Sequence, residues 1–328
     1  MAILVTGAAG FIGFHVAERL LARGETVVGV DNLNEYYDVR LKEARLARLA
    51  GHPRFSFHRV DIADREGFNA ALAAGGETLT AAVHLAAQAG VRHSIDHPFD
   101  YISANIQGHL VVLEWCRHQP DFRHLVYASS SSVYGGNTKL PFAVEDRVDQ
   151  PISLYAATKK ADELMSHTYA HLYRIPQTGL RFFTVYGPWG RPDMALFKFC
   201  RAILDDQPIT VFNHGQMRRD FTFIDDIVTG VVAALDRPPA DLGSAGAPHR
   251  VFNIGNNQSE PLLKLIALLE QALGRTAVKE YAPMQPGDVA QTFADITATR
   301  EQLGFAPTTP IEVGVPRFVA WYRDHYGV

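Results

Sequence analysis

The apolar run Ala2-Ile3-Leu4-Val5-Thr6 passes without a break into Gly7-Ala8-Ala9-Gly10-Phe11-Ile12-Gly13, a G-x-x-G-x-x-G that opens an amphipathic stretch. Few folds put a buried strand, a tight turn and a helix in that order. Glycines there let the chain turn sharply and bring backbone N–H groups up to a pyrophosphate at the helix N-terminus. A glycine triplet alone also occurs in ordinary tight turns; its place between a strand and a helix gives it meaning. The second apolar run ends at Asp31, where a carboxylate would accept hydrogen bonds from both ribose hydroxyls and repel a 2′-phosphate. Gly7, Gly10, Phe11, Ile12, Gly13, Asp31 and Asn32 are therefore the candidate dinucleotide site, with NAD expected rather than NADP. Asp61 and Ile62, after the third run, are candidates for the adenine edge.

Short β-branched runs alternate with amphipathic stretches through the first half, the pattern of a parallel sheet covered by helices on both faces. Strands are expected at 3–6, 26–31, 54–61, 82–86, 124–129 and 177–183, with helices between them such as 14–23. The expected fold class is α/β: a doubly wound parallel (Rossmann) sheet with a smaller C-terminal substrate-binding α/β domain. From about Thr184 the alternation weakens, and short strand-like pieces follow at 209–212 and 251–254. The expected division is 1–180 for the NAD-binding domain and 181–328 for the substrate domain, with interleaving of the two left open. Residues 238–248, rich in Pro, Gly, Ser and Ala, read as a surface loop. The basic stretch 40–54 sets cations among leucines and alanines at helical spacing and reads as a solvated helix face.

Composition narrows the function classes. A chain of 328 residues, 47% hydrophobic and 20% charged, suits a globular protein with ample core. A net charge of -4 provides no basic field for nucleic acid, so the expected anionic partner is a small metabolite. Cys116 and Cys200 stand far apart and outside any C-x-x-C, which argues against a disulfide framework or cysteine zinc site and for a reducing cytoplasm. Neither a secretion signal nor a membrane-length apolar span is read, and the 14 histidines show no H-E-x-x-H spacing, so neither membrane nor metal is expected.

Tyr155-Ala156-Ala157-Thr158-Lys159 places a phenol and an ammonium one turn apart on a helix expected at 155–173. A tyrosine near its ordinary pKa of about 10 is a poor base at neutral pH, but a nearby cation stabilises the phenolate. Tyr155 could then take a hydroxyl proton as a hydride leaves for a nicotinamide. The run Ser129-Ser130-Ser131-Ser132-Val133-Tyr134-Gly135 follows the fifth strand, at the sheet edge where such folds bind ligands. Y-x-x-x-K is common by chance and a serine run is usually a loop, yet their order after the glycine motif is hard to obtain accidentally.

In these motifs the chain resembles the extended short-chain dehydrogenases/reductases over nearly its whole length. The resemblance implies a Ser/Thr-Tyr-Lys mechanism carried by Ser130, Tyr155 and Lys159, with Ser130 chosen by its place three before Val133 and Ser131 its rival. It further implies that Tyr155 and Lys159 border the cofactor, Lys159 bonding the nicotinamide ribose, beside Leu85, Ala86, Ala87 and Asn105. It also implies a homodimer formed through two helices per subunit, for which the apolar Met165 and Leu172 are available.

Later motifs bear on the substrate. Residues 181–193 (RFFTVYGPWGRPD) and 218–221 (RRDF) look like nucleotide-sugar-binding segments, making Arg219 a diphosphate ligand and Arg191 a ligand near the nucleotide or sugar, because arginine offers forked donors to phosphate oxygens. Residues 283–289 (PMQPGDV) and 31–38 (DNLNEYYD) are similar to the UDP-glucuronate 4-epimerase branch, with Asp288 as a ribose or uridine-side contact. Relatives that dehydrate or decarboxylate the sugar carry acids just before Val-Tyr-Gly; here those places are Ser131 and Ser132. Ser130, Ser131, Ser132 and Thr184 are thus candidates to hold a sugar carboxylate, and C4 epimerisation is the expected reaction. A UDP-glucose 4-epimerase or a UDP-glucuronate decarboxylase would use the same site, whereas a non-catalytic NAD-binding regulatory protein would have no need to keep Ser130, Tyr155 and Lys159 together.

Overall fold

The computed structural model describes residues 1–285 and 287–328; Pro286, in the 283–289 motif, lies outside the described residues. Seven parallel strands form the main sheet: β1 (Ala2–Thr6), β2 (Thr26–Asp31), β3 (Phe55–Arg59), β4 (Ala81–His84), β5 (His124–Ser130), β6 (Gln177–Phe182) and β7 (His249–Ile254). Their order is β7-β6-β5-β4-β1-β2-β3. Winding runs one way from β1 to β3 and the other way from β4 to β7, so the crevice between β1 and β4 is the topological switch point where such sheets take ligands.

A parallel sheet must be covered on both faces, and its side chains alternate accordingly. Ile3, Val5 and Val27 enter one core; Leu4, Val28 and Val30 enter the other. Helix α1 (Phe11–Ala22) lies on the first face, filled by the fully buried Phe14, Val16, Ala17 and Leu20. Helix α3 (Gly108–Arg117) supplies the second with Val112, Leu113 and Trp115. Between these two in sequence comes helix α2 (Val39–Ala50), and after them α4 (Leu154–Tyr173) and α5 (Ile224–Leu235).

Beyond β6 the chain builds a cap from small pieces. Residues 184–186, 218–223 and 259–261 form a three-stranded sheet, 209–211 pairs with 279–281, and helices at 195–204, 262–273 and 311–326 cover them. No helix of the described residues is long and apolar enough to cross a membrane.

Two local expectations change. The piece expected at 251–254 among the C-terminal fragments is the outer strand of the main sheet, registered with β6 from His249↔Gln177 to Ile254↔Phe182. Its residues announced a strand, but not a partner 72 positions away. The basic face of 40–54 is not wholly solvated: in α2, Lys42 is 5% exposed and Arg45 fully buried. Lys42 donates to the backbone oxygen and side chain of Asn34. Arg45 ties the glycine loop to the cap by donating to the carbonyls of Ala9 and Trp189 at 2.9 and 2.6 Å.

The sheet and α4 are joined by a buried ion pair. Arg181 of β6 donates through Nε and Nη2 to the two Glu163 oxygens at 2.8 and 2.9 Å, Ser129 donates to the same carboxylate, and the two side chains are 3% and 4% exposed. Burial alone would raise the Glu163 carboxyl, but the arginine outweighs it and holds the group below its ordinary value of 4.5. Such a group stabilises the fold above its unfolded pKa, and that contribution is lost as pH falls through the folded value. Glu163→Ala strands a buried guanidinium and should cost about 3–5 kcal/mol in denaturant unfolding at neutral pH. The gap to the parent protein should narrow below pH 4.5 or so, as the parent's own carboxylate protonates.

Candidate active site

A cavity of about 640 Å³ runs across the switch point, from the glycine loop under β2 to the cap. Gly7 leaves β1 with φ +72 and donates to Val30 O at 2.7 Å, while Gly10 donates back to Gly7 O. A Cβ at Gly7 would lie 2.8 Å from Ala86 N, and one at Gly13 would lie 2.0 Å from Gly7 O. Only glycine lets α1 begin this close to the strand end, which presents the helix N-terminus to the cavity. Gly7, Gly10, Phe11, Ile12 and Gly13 all line it.

Asp31 ends β2 on the same wall and accepts from the N–H groups of Leu33 and Ala9 at 2.9 and 3.2 Å. Burial pushes its carboxyl up, opposed by Lys42, those two hydrogen bonds and Arg45. Asn32 donates to Asp61 at 2.9 Å, joining the two residues expected around the adenosine. Asp61, Ile62, Leu85, Ala86 and Ala87 complete that half of the cavity. Asn105 does not reach it. It sits in a π-turn at 102–107, where its amide accepts from Gln88 N and donates to Gln88 O and Thr158 Oγ1, bracing the loop after β4 against α4. The wall thus combines backbone donors, a buried carboxylate and a tight backbone approach, features that a dinucleotide site requires.

Across the cavity, Ser153 caps α4 by accepting from Ala156 N, and the first turn holds out Tyr155. Tyr155 and Lys159 line the cavity together with Ser130, the last residue of β5, and with Ser131 and Ser132 of the turn that follows. Ser130 Oγ accepts from Ser132 N at 3.2 Å and so is fixed in direction. Lys159, 4% exposed, donates to Ala128 O and Asp162 at 3.0 Å each. A phenol with a buried ammonium one turn away can exchange a proton with a sugar hydroxyl placed between it and the serines.

Thr184, Arg191, Arg219 and Asp288, the candidates for the substrate side, also line the cavity. Arg219 uses one nitrogen on the carbonyls of Arg218 and Ala290; burial lowers its pKa, with Asp288 opposing. Arg191 is held in a fork by Asp193, which also accepts from Tyr36 at 3.1 Å. Burial, then Asp193, pushes the Tyr36 phenol up to about 12, so it remains a neutral donor.

Residues not singled out from sequence include Tyr36, Lys42, Arg92, Asp193 and Phe212. Arg92 donates to Asp288 at 2.9 Å and lies over the Phe212 ring at 4.9 Å. No local motif marks these contacts, because their partners are distant in sequence; the family-like segments at 31–38 and 181–193 did contain Tyr36 and Asp193. At the rim, a helix break brings His93, His97 and Asp100 to within 4.8 Å of one another, with the last two exposed.

Gly13→Ala tests the loop. Its methyl must displace the Gly7 carbonyl, so at least one phosphate-directed N–H should be lost and affinity for NAD should fall roughly tenfold, measured by calorimetry on cofactor-stripped protein. Unchanged affinity would mean the loop does not hold the dinucleotide.

A family model described as the NAD dependent epimerase/dehydratase family matches residues 3–255. The chain is 55% identical to an uncharacterised 37.6 kDa protein from the cld 5′ region of Escherichia coli O111:H-, each chain being covered completely. It is 48% identical to a probable UDP-glucuronate 4-epimerase of Rhizobium meliloti (strain 1021), over 99% of this chain and 98% of the relative. Among solved structures, the UDP-glucuronic acid 4-epimerase of Bacillus cereus in complex with UDP-glucuronic acid and NAD is similar at a TM-score of 0.89 and 36% identity, covering 99% of this chain and 100% of that one. The chain belongs to the NAD-dependent epimerase/dehydratase family.

Proposed function

We propose that this protein interconverts UDP-glucuronate and UDP-galacturonate by NAD-dependent epimerisation at C4. The observation that carries the reading is that Tyr155, Lys159 and the acid-free run of Ser130, Ser131 and Ser132 line one cavity with the glycine loop, Arg191 and Arg219. Names borne by the relatives, UDP-glucuronate 4-epimerase among them, support it.

NAD, when bound along Gly7–Gly13 and Asp31, supplies the acceptor that takes hydrogen from C4 and later returns it. Tyr155 takes the proton of the C4 hydroxyl, its phenolate stabilised by Lys159, and Ser130 holds the sugar oxygen in line. The resulting 4-keto sugar turns about its diphosphate linkage while Arg219 keeps the nucleotide in place. Tyr155 then returns the proton, and the configuration at C4 is inverted.

The 4-keto uronate is a β-keto acid that loses carbon dioxide readily, so its carboxylate must be held. Ser131, Ser132 and Thr184 offer hydroxyl donors where an acid would repel it. Residues 1–180 serve as the cofactor part and 181–328 as the substrate part, with β7 and α5 returning to complete the first. Leu172, exposed on α4 with Leu164, and exposed Leu110 of α3 support a homodimer, whereas Met165, expected beside Leu172, packs against the second core. Two buried, unpaired cysteines suit a reducing cytoplasm.

Purified protein given UDP-glucuronate without added NAD should form UDP-galacturonate, and Tyr155→Phe should lower kcat by about 10²–10⁴. No product from the parent protein, or full activity in the variant, would refute the assignment. Ser131→Ala or Ser132→Ala should weaken uronate binding or release a UDP-pentose, seen by mass spectrometry; unchanged binding and product distribution would remove the serines from that role.

A further inference from the structure

Lys159 has three ammonium hydrogens to give. Two are committed inside the protein, to Ala128 O and to Asp162 Oδ2, each at 3.0 Å. One is left for the cavity. Asp162 is 1% exposed, and its Oδ1 has no hydrogen-bond partner among the described residues. A buried carboxylate with one free oxygen is a costly thing to keep beside a neutral helix core. Its partner is the cation that the proposed chemistry uses.

The neighbouring charges are already matched or absent. On α4, Glu163 is tied to Arg181 of β6, with Lys160 at 3.5 Å. His109 of α3 stacks on His84 of β4 at 5.2 Å, and burial drives both pKa values down, so they are neutral at pH 7. Burial pushes the Tyr127 phenol of β5 well up, leaving it protonated. Asp162 and Lys159 are thus left as a pair: burial raises the Asp162 carboxyl, and the Lys159 ammonium 3.0 Å away pulls against that rise.

We propose that Asp162 is a positioning residue for Lys159: it fixes the ammonium so that the remaining hydrogen faces the cavity, and its charge trims the lysine field felt by Tyr155. Lys159 stands between the two, four residues after the phenol and three before the carboxylate. The carboxylate lies about 10 Å along the helix axis from Tyr155, too far to cancel the cation but close enough to weaken it. This inference rests on the reading of Tyr155 and Lys159 as base and cation.

The test uses NAD-loaded protein and two readouts. The Tyr155 phenol is titrated by tyrosinate ultraviolet absorbance, as the difference between each protein and its Tyr155→Phe counterpart, and the pH profile of kcat/KM is recorded beside it. Asp162→Asn keeps an oxygen for Lys159 but removes the charge. The phenol midpoint and the acid limb should both fall by about half a pH unit, less than the 1–3 units of a charge in direct contact. KM should stay within about twofold, because no substrate contact changes. Asp162→Ala also removes the acceptor, and kcat should drop roughly tenfold at similar KM as the ammonium wanders. An unmoved midpoint in the Asn variant overturns the proposal, and so, independently, does full kcat in the Ala variant. Should the parent protein turn over no UDP-glucuronate, the assigned reaction fails, while the phenol titration still decides the role of Asp162.

Discussion

Helix α1 begins so close to the end of β1 that a single methyl group at position 13 would lie 2.0 Å from the Gly7 carbonyl oxygen. That approach fixes where the first helix dipole points, and with it the end of the sheet that can bind an anion. It also fixes what surrounds it. The Ala9 N–H reaches the Asp31 carboxylate and the Ala9 carbonyl receives the buried Arg45 guanidinium, so the loop, the end of β2 and the cap share one set of hydrogen bonds. A loop held from three sides needs little reordering when a pyrophosphate arrives, which favours tight retention of a cofactor that must be used twice in each turnover.

The opposite wall is built on a different economy of charge. Buried ions there stand in pairs, Glu163 with Arg181 and Asp162 with Lys159, and the first pair fastens α4 to the sheet while the second aims the ammonium. Fixing α4 fixes Tyr155, because the phenol and the lysine stand one turn apart on it. Arginines that line the cavity have carboxylates beside them, Arg191 of the cap with Asp193 and Arg92 of the loop after β4 with Asp288. Their field is therefore preorganised and internally balanced rather than a bare positive patch.

Much of this was legible in the sequence because it is local. The glycine triplet, the carboxylate closing β2, the phenol and ammonium four residues apart, and the serine turn after β5 each declare themselves within a few residues. Less legible were the features made by distant pairing. Arg45 looked like part of a solvated face because helical spacing cannot reveal that the 189–190 backbone would come to lie over it. The Arg92–Asp288 contact spans 196 positions, and β7 reaches the sheet only after the whole first part of the cap. Asn105, expected at the cofactor, braces the wall from behind, a distinction of one layer that sequence order does not encode.

In the proposed mechanism one cofactor, held throughout by the glycine loop, takes hydrogen from C4 and gives the same hydrogen back to the other face. Starting from UDP-glucuronate carrying deuterium at C4, in ordinary water and without added nucleotide, mass spectrometry of the UDP-galacturonate formed reads this directly. The label should remain at C4 in the product. Its loss to solvent would contradict a hydride returned within the closed cavity, and with it the mechanism built on this fold.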